Sequence, residues 1–418
     1  MKSQTMFEQS QKLLKQAELY DAWAANRVKN YSQIENEYPF YASHAKGAYL
    51  WDVDKNRYID YMLGYGTIVL GHADDRVTKA VVRELKRGNN ISPLWKPTQI
   101  ELTKLLVSVI PHAQMAFLMK TGSDATSGAV RLARVFTGRD KVVRWGYNGW
   151  HDWATPRSMG VPKSTLENVF QFQYNDIGSL YNIFETYPDQ ISCVIMMPFE
   201  LEKPSPGFLQ EVKAVAHKYG ALFILDEMRS GFRLALGGAQ EFFDIEADLA
   251  TYSKAMSNGH PISAIVGRAD VLSGIGHTKM TSTFFGNSAE MVAAITTISI
   301  LKETNAIPHI WSMGEMFEAG INALLAEHTF SAQFVGYAPY PFIQFTIPDC
   351  EQNEQVKRIF FTEVARNGVF LHPNHHWYIS AAHTAEDIQN TLEIFQKGFV
   401  AVENYLNEKN LKLPTGQS

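Results

Sequence analysis

Two residues at the ends of short apolar runs suggest chemistry. Asp226 closes ALFILD, and Lys254 follows DLATYS and precedes a loop containing Asn258, Gly259 and Pro261. Open α/β sheets bind ligands outside the carboxyl ends of their strands. A carboxylate at one such end and a lysine at a neighbouring one suit work on a heteroaromatic aldehyde. The amine condenses with the carbonyl, and the acid keeps a ring nitrogen protonated so that the ring accepts electrons. Taken alone, the pair also reads as a strand-end acid and a surface lysine. A second group, Lys120-Thr121-Gly122-Ser123-Asp124-Ala125, follows a strand-like run and opens a helical pattern. Gly122 permits close backbone approach and Ser123 can cap the helix, whose unpaired N–H groups attract an anion such as phosphate. A capped helix without a ligand is the plainer account. Gly146-Tyr147-Asn148-Gly149-Trp150-His151-Asp152-Trp153 sets aromatic rings in a glycine-flanked loop, where they stack on a flat ring or pack the loop itself. Thr281-Ser282-Thr283-Phe284-Phe285-Gly286-Asn287 offers hydroxyls that hold a phosphate or cap the helix that follows.

The elements that must position these groups are legible as alternating strands and helices. Short apolar runs at Met115–Met119, Lys141–Trp145, Ile191–Met197 and Ala221–Leu225 predict strands, and 208–218 predicts a helix. Uninterrupted apolar strands between helices predict an α/β fold with a mostly parallel sheet covered on both faces. GAYLWDVDKNRYIDY predicts a hairpin turning at Asp54-Lys55-Asn56, and residues 5–30 have helical character. Beyond about residue 305 the texture changes to helices with short strands at Phe342–Thr346, Val369–Leu371 and Trp377–Ser380. The expected organisation is an N-terminal segment 1–58 and a C-terminal part 305–418 forming a smaller α+β domain, with a large domain over 59–304.

Composition narrows the function class. The chain has 418 residues, 38 Lys+Arg against 43 Asp+Glu for a formal charge of −5, and 45% hydrophobic residues. Ordinary glycine and proline contents exclude collagen-like and low-complexity architectures. A mild acidic excess argues against a protein built to grip phosphate backbones. Cys193 and Cys350 are too few and too far apart for a disulfide framework or zinc site, and MKSQTMFEQSQKLLKQ lacks a signal-peptide core. A cytoplasmic enzyme-sized chain with no metal residues is expected. His375 and His376 read as a strand-entry loop rather than ligands.

Together and in this order, the motifs resemble the class III (ω-type) aminotransferases of pyridoxal-phosphate fold type I, especially their glutamate-1-semialdehyde aminomutase-like branch. The resemblance runs from about Gly47 to Ile388, through KTGSDATSGAVRLARVFTGRDK, GYNGWHDW, LDEMRSGFR, ADLATYSKAMSNGHPISAIVG, TSTFFGN and YISAAHTAEDI. It implies pyridoxal 5'-phosphate as cofactor, with Lys254 as Schiff-base lysine and proton shuttle and Asp226 as partner of the ring nitrogen. It implies phosphate binding by Gly122 and Ser123, and ring contacts from Tyr147 and Met228. It also implies a phosphate contact from Thr283 of a second subunit, hence a homodimer with shared active sites. Trp95 and Arg229 fall on the substrate side.

The chain departs from the family where Asn148 stands for a histidine, Met197 for a glutamate, Met228 for a valine and Arg229 for the aminomutase's methionine. No arginine lies between Gly368 and Ser380, where many relatives hold the carboxylate of 2-oxoglutarate. The resemblance therefore implies amino transfer between a small amine or amino acid and a carbonyl metabolite, with surface-polysaccharide or secondary metabolism as a setting. A 2,1-aminomutase and a non-catalytic cofactor-binding homologue are the alternatives; the intact Lys254/Asp226 pair counts against the latter.

Overall fold

The computed structural model describes residues 6–22 and 41–412. These fall into two units, one drawn from Met1–Tyr65, Leu70–Asp74 and Pro308–Ser418, the other from Gly66–Val69 and Asp75–Ile307.

In the first unit, the helix Glu8–Tyr20 is the described part of the helical character expected over 5–30; residues 23–30 lie outside the described residues. Strands β1 (Ala42–Lys46), β2 (Tyr49–Asp52) and β3 (Arg57–Asp60) form an antiparallel sheet. The β2–β3 hairpin turns at Asp54-Lys55-Asn56 because Asp52 accepts hydrogen bonds from the Asn56 N–H (2.8 Å) and the Tyr58 hydroxyl (2.9 Å). A side-chain acceptor inside the turn replaces water for groups the turn would otherwise strand.

The second unit is built on a seven-stranded sheet. Its strands are β4 (Met115–Met119), β5 (Lys141–Trp145), β6 (Val169–Gln171), β7 (Ile191–Met196), β8 (Leu222–Asp226), β9 (Leu249–Tyr252) and β10 (Ser263–Gly267), in the order β4-β10-β9-β8-β7-β5-β6. Neighbours from β9 to β6 pair in parallel, and β10 runs antiparallel to both β9 and β4. Every residue of β7, β8, β9 and β10 is buried, which is why these strands read as continuous apolar runs rather than alternating ones. Leu132, Ala129 and Val130 of the helix Gly122–Thr137 meet Val142, Ile195, Ile224, Leu249 and Ile265 in one core. Each large apolar side chain so buried contributes roughly 1.5–3 kcal/mol.

Two antiparallel steps, β9 to β10 and β10 to β4, bring β4 back into the direction of β9. Met119, Trp145, Asp226 and Tyr252 therefore all end at one edge of the sheet.

The first unit is completed by the antiparallel pair β11 (Ala332–Val335) and β12 (Phe342–Phe345), and by β13 (Val369–Phe370), which pairs in parallel with β3. The strand expected over Trp377–Ser380 does not form. Its backbone is pulled two ways: Tyr378 N–H donates to the Tyr61 carbonyl (2.8 Å), while Trp377 and Ile379 donate to Pro341 and Pro339 (3.0 and 3.2 Å). Apolar packing there satisfies the sequence pattern without a ladder. Among the described residues, no helix is long and apolar enough to cross a membrane.

Candidate active site

Asp226 is the last residue of β8 and is fully buried. Its Oδ2 accepts a hydrogen bond from Asn148 Nδ2 (2.8 Å), and its Oδ1 accepts one from the Met228 backbone N–H (3.1 Å). Burial pushes its pKa up; the Asn148 and Met228 donors, Lys254 and Arg229 oppose that rise. Lys254 follows on the adjacent strand: Asp226 pairs in register with Thr251, and the chain turns three residues later into the 3₁₀ turn Lys254–Ser257. Crowding by protein, then the neighbouring Arg229 and Arg233 charges, push the Lys254 pKa down to about 8 against the pull of Asp226.

Lys254 sits at φ 45°, in the left-handed region. A side chain held there costs roughly 1–3 kcal/mol, and such strain concentrates at functional positions. The turn is held by its surroundings. The Met256 N–H donates to the Ser253 carbonyl (3.0 Å), and Asn258 Oδ1 accepts from the Val69 N–H (2.9 Å). Arg233, completely buried, donates from Nη2 to the carbonyls of Gly66 (2.9 Å) and Ile68 (3.0 Å), fixing the same segment.

The helix Gly122–Thr137 starts at this edge, but its cap is Thr121 rather than Ser123. Thr121 Oγ1 accepts from the Asp124 N–H (3.2 Å), and Asp124 Oδ2 accepts from the Thr121 N–H (2.8 Å), a reciprocal capping box. Ser123 is the second residue of the helix, and its Oγ accepts from the Trp150 N–H (3.3 Å). Gly122 sits close under Met228: a Cβ there would stand 2.9 Å from Met228 Sδ and would displace that side chain. Gly149, at φ 116°, would place a Cβ 2.5 Å from Ser123 Oγ.

The loop after β5 is pinned along its length to this helix. Thr126 Oγ1 donates to the Asn148 carbonyl (2.7 Å), Ser127 Oγ bonds His151 Nδ1 (2.8 Å), and Trp153 Nε1 donates to Ser127 Oγ (2.8 Å). Tyr147, 56% exposed, is set from below by Met197, whose Sδ accepts the Tyr147 N–H (3.2 Å). Arg229 is buried, with Nη2 3.5 Å from Glu200 Oε1.

Asp226, Lys254, Gly122, Ser123, Tyr147, Met228 and Arg229 thus come together at one sheet edge. Thr283 and Trp95 do not join them through the described contacts. Both are exposed and associate with each other's loops: Asn90 Nδ2 donates to the Thr283 carbonyl (2.8 Å), and the Trp95 ring lies 3.9 Å from a Cβ built on Gly286.

Sequence reasoning passed over three residues. Arg233 carried a signal only as part of GFR, and Met197 only as a departure. Asn148, noted where a histidine was expected, proves to be the donor to Asp226.

A phosphorylated pyridine aldehyde fits this edge. The buried Asp226 carboxylate has one partner on each oxygen and lone pairs to spare, Lys254 has a depressed pKa, and glycines at 122 and 149 keep Cβ atoms out of the helix start. Among the described residues there is no group of three or more His, Cys, Asp or Glu placed to hold a metal.

Comparison with known proteins agrees. The family model "Aminotransferase class-III" matches residues 31–399. A 3-aminobutyryl-CoA aminotransferase from Cloacimonas acidaminovorans is 36% identical, with 97% of this chain and 98% of that protein covered. A glutamate-1-semialdehyde 2,1-aminomutase from Francisella philomiragia is 31% identical, with 93% and 98% covered. The solved structure of the FumI protein of Sphingopyxis sp. MTA144, in its PLP internal aldimine form, superposes with a TM-score of 0.91 at 29% identity, covering 96% of this chain and 98% of FumI.

Proposed function

The chain belongs to the class III aminotransferases, and on that footing we propose that its substrate is an amine once removed from a carboxyl-derived group. The enzyme is a pyridoxal 5'-phosphate-dependent aminotransferase. The cofactor, when bound, supplies a carbonyl that takes up amines and a ring that accepts the electron pair left when a carbon–hydrogen bond ionises. Lys254 is the residue to hold the cofactor covalently and, once displaced by an amine, to carry the proton at its Nζ; a pKa of about 8 makes the neutral form far more accessible than in an ordinary lysine. Asp226 pairs with the ring nitrogen. The Gly122 and Ser123 backbone and the Ser123 hydroxyl hold the phosphate, Tyr147 covers one ring face and Met228 the other.

The observation that carries this reading is the meeting of Asp226 at the end of β8 with Lys254 just past β9, on the edge where the helix at Gly122 begins. The substrate class rests on two supports. The 36% relative is named for a 3-amino substrate, and no arginine lies between Gly368 and Ser380 to clamp an α-carboxylate. Arg229, whose charge acts on Lys254, would meet a carboxyl or thioester oxygen.

The second subunit of the proposed homodimer covers the exposed Ile91, Leu94, Trp95 and Phe284, which lie on the two loops joined by Asn90 and Thr283. From there Thr283 would reach the partner's phosphate.

Adding amines singly to the cofactor-loaded enzyme and following its visible spectrum tests the assignment. Conversion by 3-amino acids or their thioesters, with little response to α-amino acids, is expected. Rapid conversion by α-amino acids alone would overturn the substrate class, and turnover of a single amino-aldehyde without a second substrate would favour the aminomutase.

A further inference from the structure

Asn148 is 2% exposed, and its amide has a single described role. Nδ2 donates to Asp226 Oδ2 at 2.8 Å across 78 residues of sequence, while Oδ1 is buried without a hydrogen-bond partner among the described residues. A buried amide oxygen left unpaired costs about 1–3 kcal/mol, so the side chain is oriented by its Asp226 bond rather than by balanced satisfaction. The backbone of Asn148 is fixed independently, since its carbonyl accepts from Thr126 Oγ1 of the helix at the phosphate end.

We propose that Asn148 is a positioning residue for the cofactor ring, whose neutral amide holds the Asp226 carboxylate as an oriented acceptor for the ring nitrogen. The inference rests on the reading of Asp226 given above. The amide N–H and the Met228 N–H each claim one carboxylate oxygen, so both oxygens are acceptors and neither can carry a proton toward those donors. Both bonds favour the charged form and oppose the rise in pKa that burial causes, and an anion here stabilises a protonated ring nitrogen. The other charges facing Asp226 are Lys254, Arg229 and the adjacent Glu227. The Met228 N–H holds Oδ1 and the Asn148 amide holds Oδ2, so the amide fixes the second oxygen of the carboxylate. An asparagine here does so without titrating, unlike the histidine of related chains. The sharing of one residue between Thr126 and Asp226 also ties the phosphate end of the site to the ring-nitrogen end.

The test uses full-length holoenzyme loaded with cofactor carrying ¹⁵N in its ring, with NMR reporting ring-nitrogen protonation at pH 8 and dialysis reporting cofactor affinity. Asn148→Ala is expected to lower the protonated fraction, weaken cofactor binding about tenfold and reduce kcat, with KM for the amine changed less than about threefold. Asn148→His, which offers a ring N–H in the same place, should recover part of each loss. If Asn148→Ala fails to fold, Asn148→Ser serves in its stead. Unchanged protonation and affinity in these variants, while Asp226→Asn lowers both, would overturn the role of Asn148 alone. If Asp226→Asn also leaves the ring nitrogen unmoved, the reading of Asp226 itself falls.

Discussion

At the scale of single residues, the proposed chemistry depends on a lysine whose charge burial and neighbouring cations make expensive. An ordinary lysine is almost wholly protonated at pH 7, whereas a pKa of about 8 leaves roughly one in ten neutral. Neutral amine is the form that attacks an aldehyde. Attachment of pyridoxal 5'-phosphate to the cofactor-free protein should therefore accelerate about tenfold from pH 7 to pH 9 and level off above, with its midpoint near pH 8. Stopped-flow absorbance gives that profile directly. Arg229→Gln removes the stronger of the two cations opposing protonation, so the midpoint should move to higher pH; a midpoint that stays or falls would take Arg229 out of the Lys254 environment. The positions of Lys254 and Asp226 were legible in the sequence: Asp226 closes an apolar run and Lys254 follows one, and runs buried on both faces end at a sheet edge. Their partners were not legible. Asn148 reaches Asp226 only because β7 stands between β5 and β8, setting the two loops two strand spacings apart, roughly 9–10 Å, which side chains can close.

At the scale of elements, the loop 146–153 and the helix Gly122–Thr137 act as one piece. Gly149 is the point of closest approach, and its φ of 116° and its 2.5 Å clearance to Ser123 Oγ exclude any side chain. Gly149→Ala should destabilise the fold by about 1–3 kcal/mol and weaken cofactor binding. Gly160 separates the two causes. It too has positive φ (85°), but a Cβ there meets nothing within 4 Å, so Gly160→Ala carries strain alone. Thermal melts of the two variants with and without cofactor make the comparison; equal cofactor affinities would show that the loop does not shape the site. Element prediction went astray in two instructive places. Ser123 looked like the helix cap, but Thr121 takes the role because Asp124 completes a box with it. Trp377–Ser380 looked like a short strand and is buried throughout, yet its N–H groups go to two different segments. Apolar patterning reports burial, and the ladder depends on which neighbours are present.

At the scale of the whole molecule, the proposed dimer assigns an occupant to the exposed Ile91, Leu94, Trp95 and Phe284. Replacing Leu94 and Phe284 together by glutamate should shift the protein to monomers in analytical ultracentrifugation and lower cofactor affinity, because Thr283 would then be withdrawn from the partner's phosphate. A variant that stays dimeric with full affinity would place the interface elsewhere. The central claim, that this sheet edge holds pyridoxal 5'-phosphate through Lys254, is tested most directly by chemical capture. Wild-type and Lys254→Ala proteins, each incubated with cofactor, are reduced with borohydride, digested and mapped by mass spectrometry. The account predicts the cofactor's added mass on the peptide carrying Lys254 in the wild type and no added mass in the variant. Capture at another lysine, or none in the folded wild type, would contradict it.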